Sequence, residues 1–152
     1  MTKPAPQIRV ARPQDAQVWA KLAFPAGNPP SPDVLNAGAK AFNAPPPDID
    51  ESRFIVWLDD KAIARTSFNQ LENVVELRDF TIADGYIGEY DTAILQSITE
   101  AARPRGNLLT IDFYPPVYSR SFIGAGFKEN RRTRMFNCHR VSSCSYEKRL
   151  ST

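Results

Sequence analysis

The chain changes hydrophobic period several times, and each change marks an element. In Gln7–Ala11, Ile8 and Val10 alternate with polar neighbours, the two-residue period of a half-buried strand. Pro13 suits a first helical turn and Asp15 its positive end. Ala16, Trp19, Leu22 and Ala23 then recur at helical spacing. Ser31-Pro32-Asp33 reads as a second helix start, a capping hydroxyl followed by a proline and an acid. Val34, Leu35, Gly38, Ala41 and Phe42 continue that helix. From residue 53 the pattern is that of strands. Phe54–Leu58 and Ala62–Phe68 are rich in β-formers on either side of the polar turn Asp59-Asp60-Lys61, which predicts a hairpin. Glu72-Asn73 turns the chain into a third strand, Val74–Ile82. Its pattern slips: Val75 and Leu77 share one parity, Phe80 and Ile82 the other. A β-bulge produces such a slip, and a strand buried on both faces would also accommodate it.

Ile87, Ile94, Leu95, Ile98, Ala101 and Ala102 predict a helix of some four turns, ended by Arg103-Pro104-Arg105-Gly106. Leu108–Phe113 reads as a strand stopped by Tyr114-Pro115-Pro116, Val117–Gly124 as a short helix, and 127–132 and 134–141 as a last strand pair. Strand–helix–strand between 74 and 113 implies a right-handed crossover and a parallel pair. The expected fold class is therefore α/β, with a mixed, mostly antiparallel sheet of about seven strands and helices on both faces. One domain is expected over 1–152, with 1–6 as a flexible arm and 142–152 as a basic tail.

Composition refines this picture. The chain has 152 residues, 42% hydrophobic and 24% charged, as one globular domain requires. Ten of the 13 prolines lie in residues 1–47, so 25–32 and 44–50 read as loops. The net charge of +2 conceals a split: residues 1–119 carry net −4 and residues 120–152 net +6. Arg120, Lys128, Arg131, Arg132, Arg134, Arg140, Lys148 and Arg149 form the basic end. That end would attract a phosphate-bearing ligand, but a solvated strand pair with a charged tail is the preferred reading. It lacks the aromatic interleaving of an RNA platform, so nucleic acid is not expected as a partner. Apolar runs are too short for a bilayer. Residues 1–12 lack the apolar core of a secretory signal, so a cytoplasmic location is expected. Two cysteines make no disulfide framework. Cys138, His139 and Cys144 offer three soft ligands where a closed zinc site needs four, so no metal is expected.

The order of elements resembles that of the GCN5-related N-acetyltransferases (GNAT). Three segments carry the resemblance: Ile8-Arg9-Val10-Ala11-Arg12-Pro13 with Asp15-Ala16, then Glu76-Leu77-Arg78-Asp79-Phe80-Thr81-Ile82, then Phe122-Ile-Gly-Ala-Gly126-Phe127. It implies two parallel strands that splay apart around acetyl-CoA. It places pantetheine on the backbone of Phe80, Thr81 and Ile82, and the diphosphate on amides at the start of the next helix, at Gly88, Glu89, Tyr90, Asp91 and Thr92. It implies a carboxylate base, Glu76, acting through water, and a tyrosine acid, Tyr118 or Tyr114. The acceptor would be a small-molecule or peptide amine, with Phe24, Phe42, Trp57 and Phe68 as candidate lining; a homodimer is left open.

Four positions depart from the family's pattern. Tyr86 stands at the basic position of the cofactor loop, and Glu89 and Asp91 stand at its two glycine positions. Phe122 stands at the usual tyrosine and cannot donate a proton. The implied activity is acetyl-CoA-dependent N-acetyl transfer. The alternative is a GNAT-fold binding or assembly protein that no longer binds CoA, for which Glu89, Asp91 and Phe122 speak. A third reading, a nucleic-acid module built on the basic end, is weaker.

Overall fold

In a computed structural model the protein is described at residues 4–24, 30–44, 51–114, 119–136 and 139–150. Strand β1 (Gln7–Val10) leads through a 3-10 turn at Pro13–Asp15 into α1 (Ala16–Lys21), and α2 spans Pro32–Asn43. Both helix starts follow the sequence reading. Arg12 N donates to the Asp15 carboxylate, and Val34 N donates to Ser31 Oγ at 3.4 Å. The helices pack closely where Gly38 meets Ala20. A Cβ on Gly38 would lie 2.9 Å from the Ala20 Cβ.

Strands β2 (Glu51–Leu58), β3 (Lys61–Leu71) and β4 (Val74–Ile82) form an antiparallel meander. Helix α3 (Asp91–Ala102) returns the chain to β5 (Leu108–Tyr114), which lies parallel to β4. Helix α4 (Ser119–Gly124) precedes the hairpin β6 (Lys128–Phe136) and β7 (His139–Arg149). The seven strands of the described residues form one sheet in the order β1-β2-β3-β4-β5-β7-β6. The crossover, the single parallel pair and the mixed sheet are as the element order required.

The helix after β4 is shorter than expected. It starts at Asp91, and Ile87 lies in the loop before it, more than a third exposed. Gly85 and Gly88 interrupt the helical pattern there with φ of +89° and +93°, angles at which glycine alone is unstrained. Residues 142–149 are not a tail. They continue β7 between β5 and β6, with Ile111 facing Tyr146 and Leu108 facing Arg149. The serines and charges of this stretch hid a single buried face, on which Tyr146 is 1% exposed.

The sheet has two covered faces. On one, α3 and α4 bury Val75, Leu77, Phe80, Ile82, Ile94, Leu95, Ile98, Leu109, Ile111 and Phe122. On the other, Trp19 of α1 and Leu22 just after it pack on Ile55, with Phe42 of α2 and Trp57 alongside. No helix of the described residues is long and apolar enough to cross a membrane.

The return from α3 to β5 passes tightly beneath the β3–β4 turn. Asn73 O accepts from Asn107 N at 2.7 Å, and a Cβ on Gly106 would stand 2.5 Å from that same oxygen. Gly106→Ala must therefore push backbone against backbone. It should destabilise the fold by about 2 kcal/mol, read as a lower urea midpoint with an unchanged slope. An unaltered midpoint would mean that the turn yields freely.

Candidate functional site

The β4 bulge is where the parity slip placed it. Arg65 pairs with Thr81 and Ser67 with Arg78, so one residue of β3, Thr66, is set against two of β4, Asp79 and Phe80. Asp79 takes up the extra length with φ +54°, a left-handed conformation that aspartate tolerates better than most residues. Hydroxyls of β3 stabilise the disrupted ladder. Thr66 Oγ1 donates to the Arg78 carbonyl at 3.1 Å, and Ser67 Oγ donates to Asp79 Oδ2 at 2.9 Å.

The parallel pair parts at the same level. Its last matched residues are Leu77 and Ile111. Beyond them β4 stays with β3 to Ile82, and β5 turns away with β7, shifting register between Ile111 and Tyr114. The backbone of Phe80, Thr81 and Ile82 is thus left without a β5 partner. Phe80 and Ile82 point into the α3/α4 core, and Thr81 points to the opposite face with its partner Arg65.

That opposite face carries a polar strip. Asn69 faces Glu76 across the β3–β4 ladder, and opposed residues share a face. Glu76 Oε1 accepts from Arg78 Nε at 2.6 Å. Asn69 is 2% exposed, and its Oδ1 has no hydrogen-bond donor among the described residues. A cavity of about 340 Å³ adjoins the strip. Its lining includes Asp79, Arg53 and Arg65 below and Trp19, Gly38 and Phe42 above. A second cleft, of about 420 Å³, lies at the tip of the β2–β3 hairpin and is lined by Phe24, Trp57, Lys61 and Tyr86 among others. Phe24, Phe42 and Trp57 thus line cavities on this face. Phe68 does not: it is 1% exposed in the other core, with its ring 4.7 Å from that of Phe54.

The start of α3 is closed by its own side chain. Asp91 is buried. Its Oδ1 accepts from the Thr92 amide at 2.9 Å, and its Oδ2 accepts from Ser121 Oγ of α4 at 2.5 Å. A carboxylate at this position is favoured by the helix dipole, and it occupies the place where a helix start would receive an external anion. Glu89 is exposed beside it, and Gly88 provides the turn. Tyr90 precedes the helix and has its ring 5.8 Å from that of Tyr86. The strands thus part beyond Leu77 and Ile111, and the Asp91 carboxylate stands at the start of α3.

Phe122 is fully buried at the centre of an aromatic cluster. Tyr146 stacks on it at 4.6 Å, Phe127 lies at 5.4 Å and Phe80 at 5.6 Å. Tyr118 lies outside the described residues, as does Cys138. Tyr114 is placed by its backbone at the end of β5, opposite Cys144. Among the described residues no cluster of His, Cys, Asp or Glu is arranged to hold a metal ion. Sequence reasoning did not reach Arg53, Arg65, Asn69 or Ser121, because their importance lies in cross-strand and interhelix neighbours.

A seven-stranded sheet bulged in β4 and splayed between β4 and β5 defines the architecture of the GCN5-related N-acetyltransferases, and the protein has that fold. Solved structures of this class superpose over nearly the whole chain. A chimeric spermidine N-acetyltransferase from Vibrio cholerae matches with a TM-score of 0.73 at 12% identity, over 96% of both chains. The ribosomal-protein-S18-alanine N-acetyltransferase from Escherichia coli matches with a TM-score of 0.67 at 14% identity, over 97% of this chain and 95% of its own. An aminoglycoside acetyltransferase in complex with coenzyme A matches with a TM-score of 0.66 at 15% identity, over 95% of each chain. No protein-family model matches the sequence, and no curated protein matches it.

Proposed function

We propose that the protein is an N-acyltransferase that moves an acetyl group from acetyl-CoA to the amine of a small acceptor. One observation carries this reading. The bulge at Asp79 coincides with the point where β4 and β5 part, and a cavity lined by Asp79 adjoins that point. A donor arm on one side and an acceptor on the other would meet at Phe80–Ile82.

Acetyl-CoA supplies the acyl group as a thioester. The chain's part is to orient it, to free the amine of its proton and to return a proton to the departing sulfur. Backbone at residues 80–82, beyond the last β4–β5 pair, would donate to the thioester oxygen. Glu76 takes the proton from the amine through water, because an ammonium has no lone pair to attack with. Asn69 Oδ1 offers that water an acceptor. Tyr118 or Tyr114 would protonate the thiolate. The test is product formation, followed by mass spectrometry with acetyl-CoA and a panel of amino acids, polyamines, aminoglycosides and peptide N-termini. No acetylated product from any of them would end this reading.

A second reading is favoured by Asp91, whose carboxylate closes the start of α3: the fold is kept for binding or assembly, and CoA is no longer held. Calorimetry separates the two readings, since the second requires no heat with acetyl-CoA or CoA. Asp91→Asn is expected to raise CoA affinity about tenfold. A carboxylate some 5 Å from a diphosphate costs roughly 1 kcal/mol per charge pair at solvent-like screening. Asparagine removes that charge, and its amide can still accept from Thr92 and pair with Ser121. Acetyl-pantetheine, which has no diphosphate, should bind the two proteins alike. Equal CoA affinity would show that the carboxylate lies too far away to matter.

A further inference from the structure

We infer that the cleft at the tip of the β2–β3 hairpin binds a nucleoside phosphate, with the base among Phe24, Trp57 and Tyr86 and the phosphate on Lys21 and Lys61. The inference stands on the lining of the cleft and does not rest on the acyl-transfer reading. The cleft has a volume of about 420 Å³, within the range of small-molecule sites. The end of α1, the hairpin tip and the residues just after β4 build it together.

Its floor is apolar, formed by Val18, Leu22, Ala62 and Ala83, which pack on the second core or belong to it. Trp57 is half-buried, and Arg9, outside the lining, steadies it with a guanidinium 5.8 Å from the ring centre. Lys61 Nζ lies 5.6 Å from the centre of the Tyr86 ring. A ring face orients an ammonium and leaves its charge in place. Lys21 stands in the last turn of α1 and is exposed. Among the described residues neither ammonium forms an ion pair. The acids of the lining are Asp60 and Asp84. Asp84 is already engaged within the protein, and Asp60 is exposed in the hairpin turn.

Each part of a nucleoside phosphate has a counterpart here. Aromatic rings receive the faces of a base. An ammonium is a compact charge that suits phosphate oxygens, whereas a planar carboxylate is better served by guanidinium forks. The Asp60 carboxylate accepts hydrogen bonds and would take those of the ribose hydroxyls. Ala83 follows Ile82 directly, so the cleft continues from the backbone at 80–82. The same chemistry is carried by a free nucleotide and by the nucleotide end of CoA, and the test separates these two sources.

The test measures binding by calorimetry with ADP, adenosine and ribose 5-phosphate. Wild-type protein should bind ADP about tenfold more tightly than either of the others. Lys21→Gln and Lys61→Gln should each weaken ADP about fivefold, reduce its sensitivity to salt, and leave adenosine unchanged. Both lysines are exposed, so the variants keep the fold. Lys40→Gln, an exposed charge of α2 outside the lining, should bind ADP as wild type does. The inference fails if wild type binds ADP and adenosine alike, or binds none of the three. It fails too if Lys40→Gln loses as much as the other two variants, since net charge alone would then explain the effect. Titrating ADP into protein saturated with CoA names the source. Lost ADP binding, with acetyl-pantetheine causing no loss, assigns the cleft to the nucleotide of CoA; unchanged binding assigns it to a free nucleotide, and both results uphold the site. Acetylation of amines is read separately. ADP bound by a protein that acetylates nothing would remove the transferase reading and leave the cleft standing. Acetylation without ADP binding would do the reverse.

Discussion

Phe122→Ala is expected to cost about 3–5 kcal/mol of folding stability, the range for emptying a large aromatic site. A domain of this size has roughly 5–15 kcal/mol in total, so the variant should lie close to unfolding. The expectation follows from where α4 gets its anchorage. The helix has six residues, too few to be stable alone. Phe122 fastens it to three elements at once, through Phe80 of β4, Tyr146 of β7 and Phe127 in the turn before β6. Removing the ring leaves a void bordered by rigid sheet residues, which cannot collapse to fill it. Ile123, the next residue, is 52% exposed, and Ile123→Ala should change stability by no more than about 0.5 kcal/mol. Urea unfolding followed by far-UV circular dichroism compares the two. A Phe122→Ala midpoint equal to that of Ile123→Ala would show that the aromatic cluster does not hold α4. The consequence reaches the start of α3, since Ser121 on the same helix donates to Asp91.

The fold was legible in the sequence wherever one face of an element is buried. The β4 parity slip was a physical record of the bulge: the extra residue, Asp79, moves the buried set from Val75 and Leu77 to Phe80 and Ile82. Ser31-Pro32-Asp33 marked α2 because capping is local chemistry. The β7 stretch at 142–149 was misread because charge and serine content outweighed a single inward tyrosine. The site was less legible. Glu89 and Asp91 could be recognised as acids where phosphate is expected. That Asp91 bonds both the next amide and a serine of α4 depends on two helices meeting, which no local pattern encodes. Arg53 and Arg65 looked like ordinary strand charges, since the carbonyls to which they donate lie 11 and 46 positions away.

Glu76→Gln is expected to lower kcat about a hundredfold, within the range for losing a general base, with little change in stability or in the KM for acetyl-CoA. Glutamine has the same shape, and its Oε1 can still accept from Arg78 Nε, which lies 2.6 Å from Oε1 in the native side chain. Only the basicity is lost. The signature is in the pH profile. An aliphatic amine with a pKa near 10 is only about 0.1% neutral at pH 7, and each unit of pH raises that share about tenfold. On the proposed mechanism the native protein gains less from this, because Glu76 would already remove the proton. The ratio of native to Glu76→Gln rates should therefore shrink as pH rises from 7 to 9. Asp79→Asn is the comparison. Asparagine tolerates the left-handed backbone at that position, and its carbonyl can still accept from Ser67. The change should raise the KM for the amine more than it lowers kcat, with a ratio to native that does not close with pH. If the two variants respond identically to pH, the division of labour between the two carboxylates is wrong. If Glu76→Gln keeps the native kcat at pH 7, proton removal does not pass through β4.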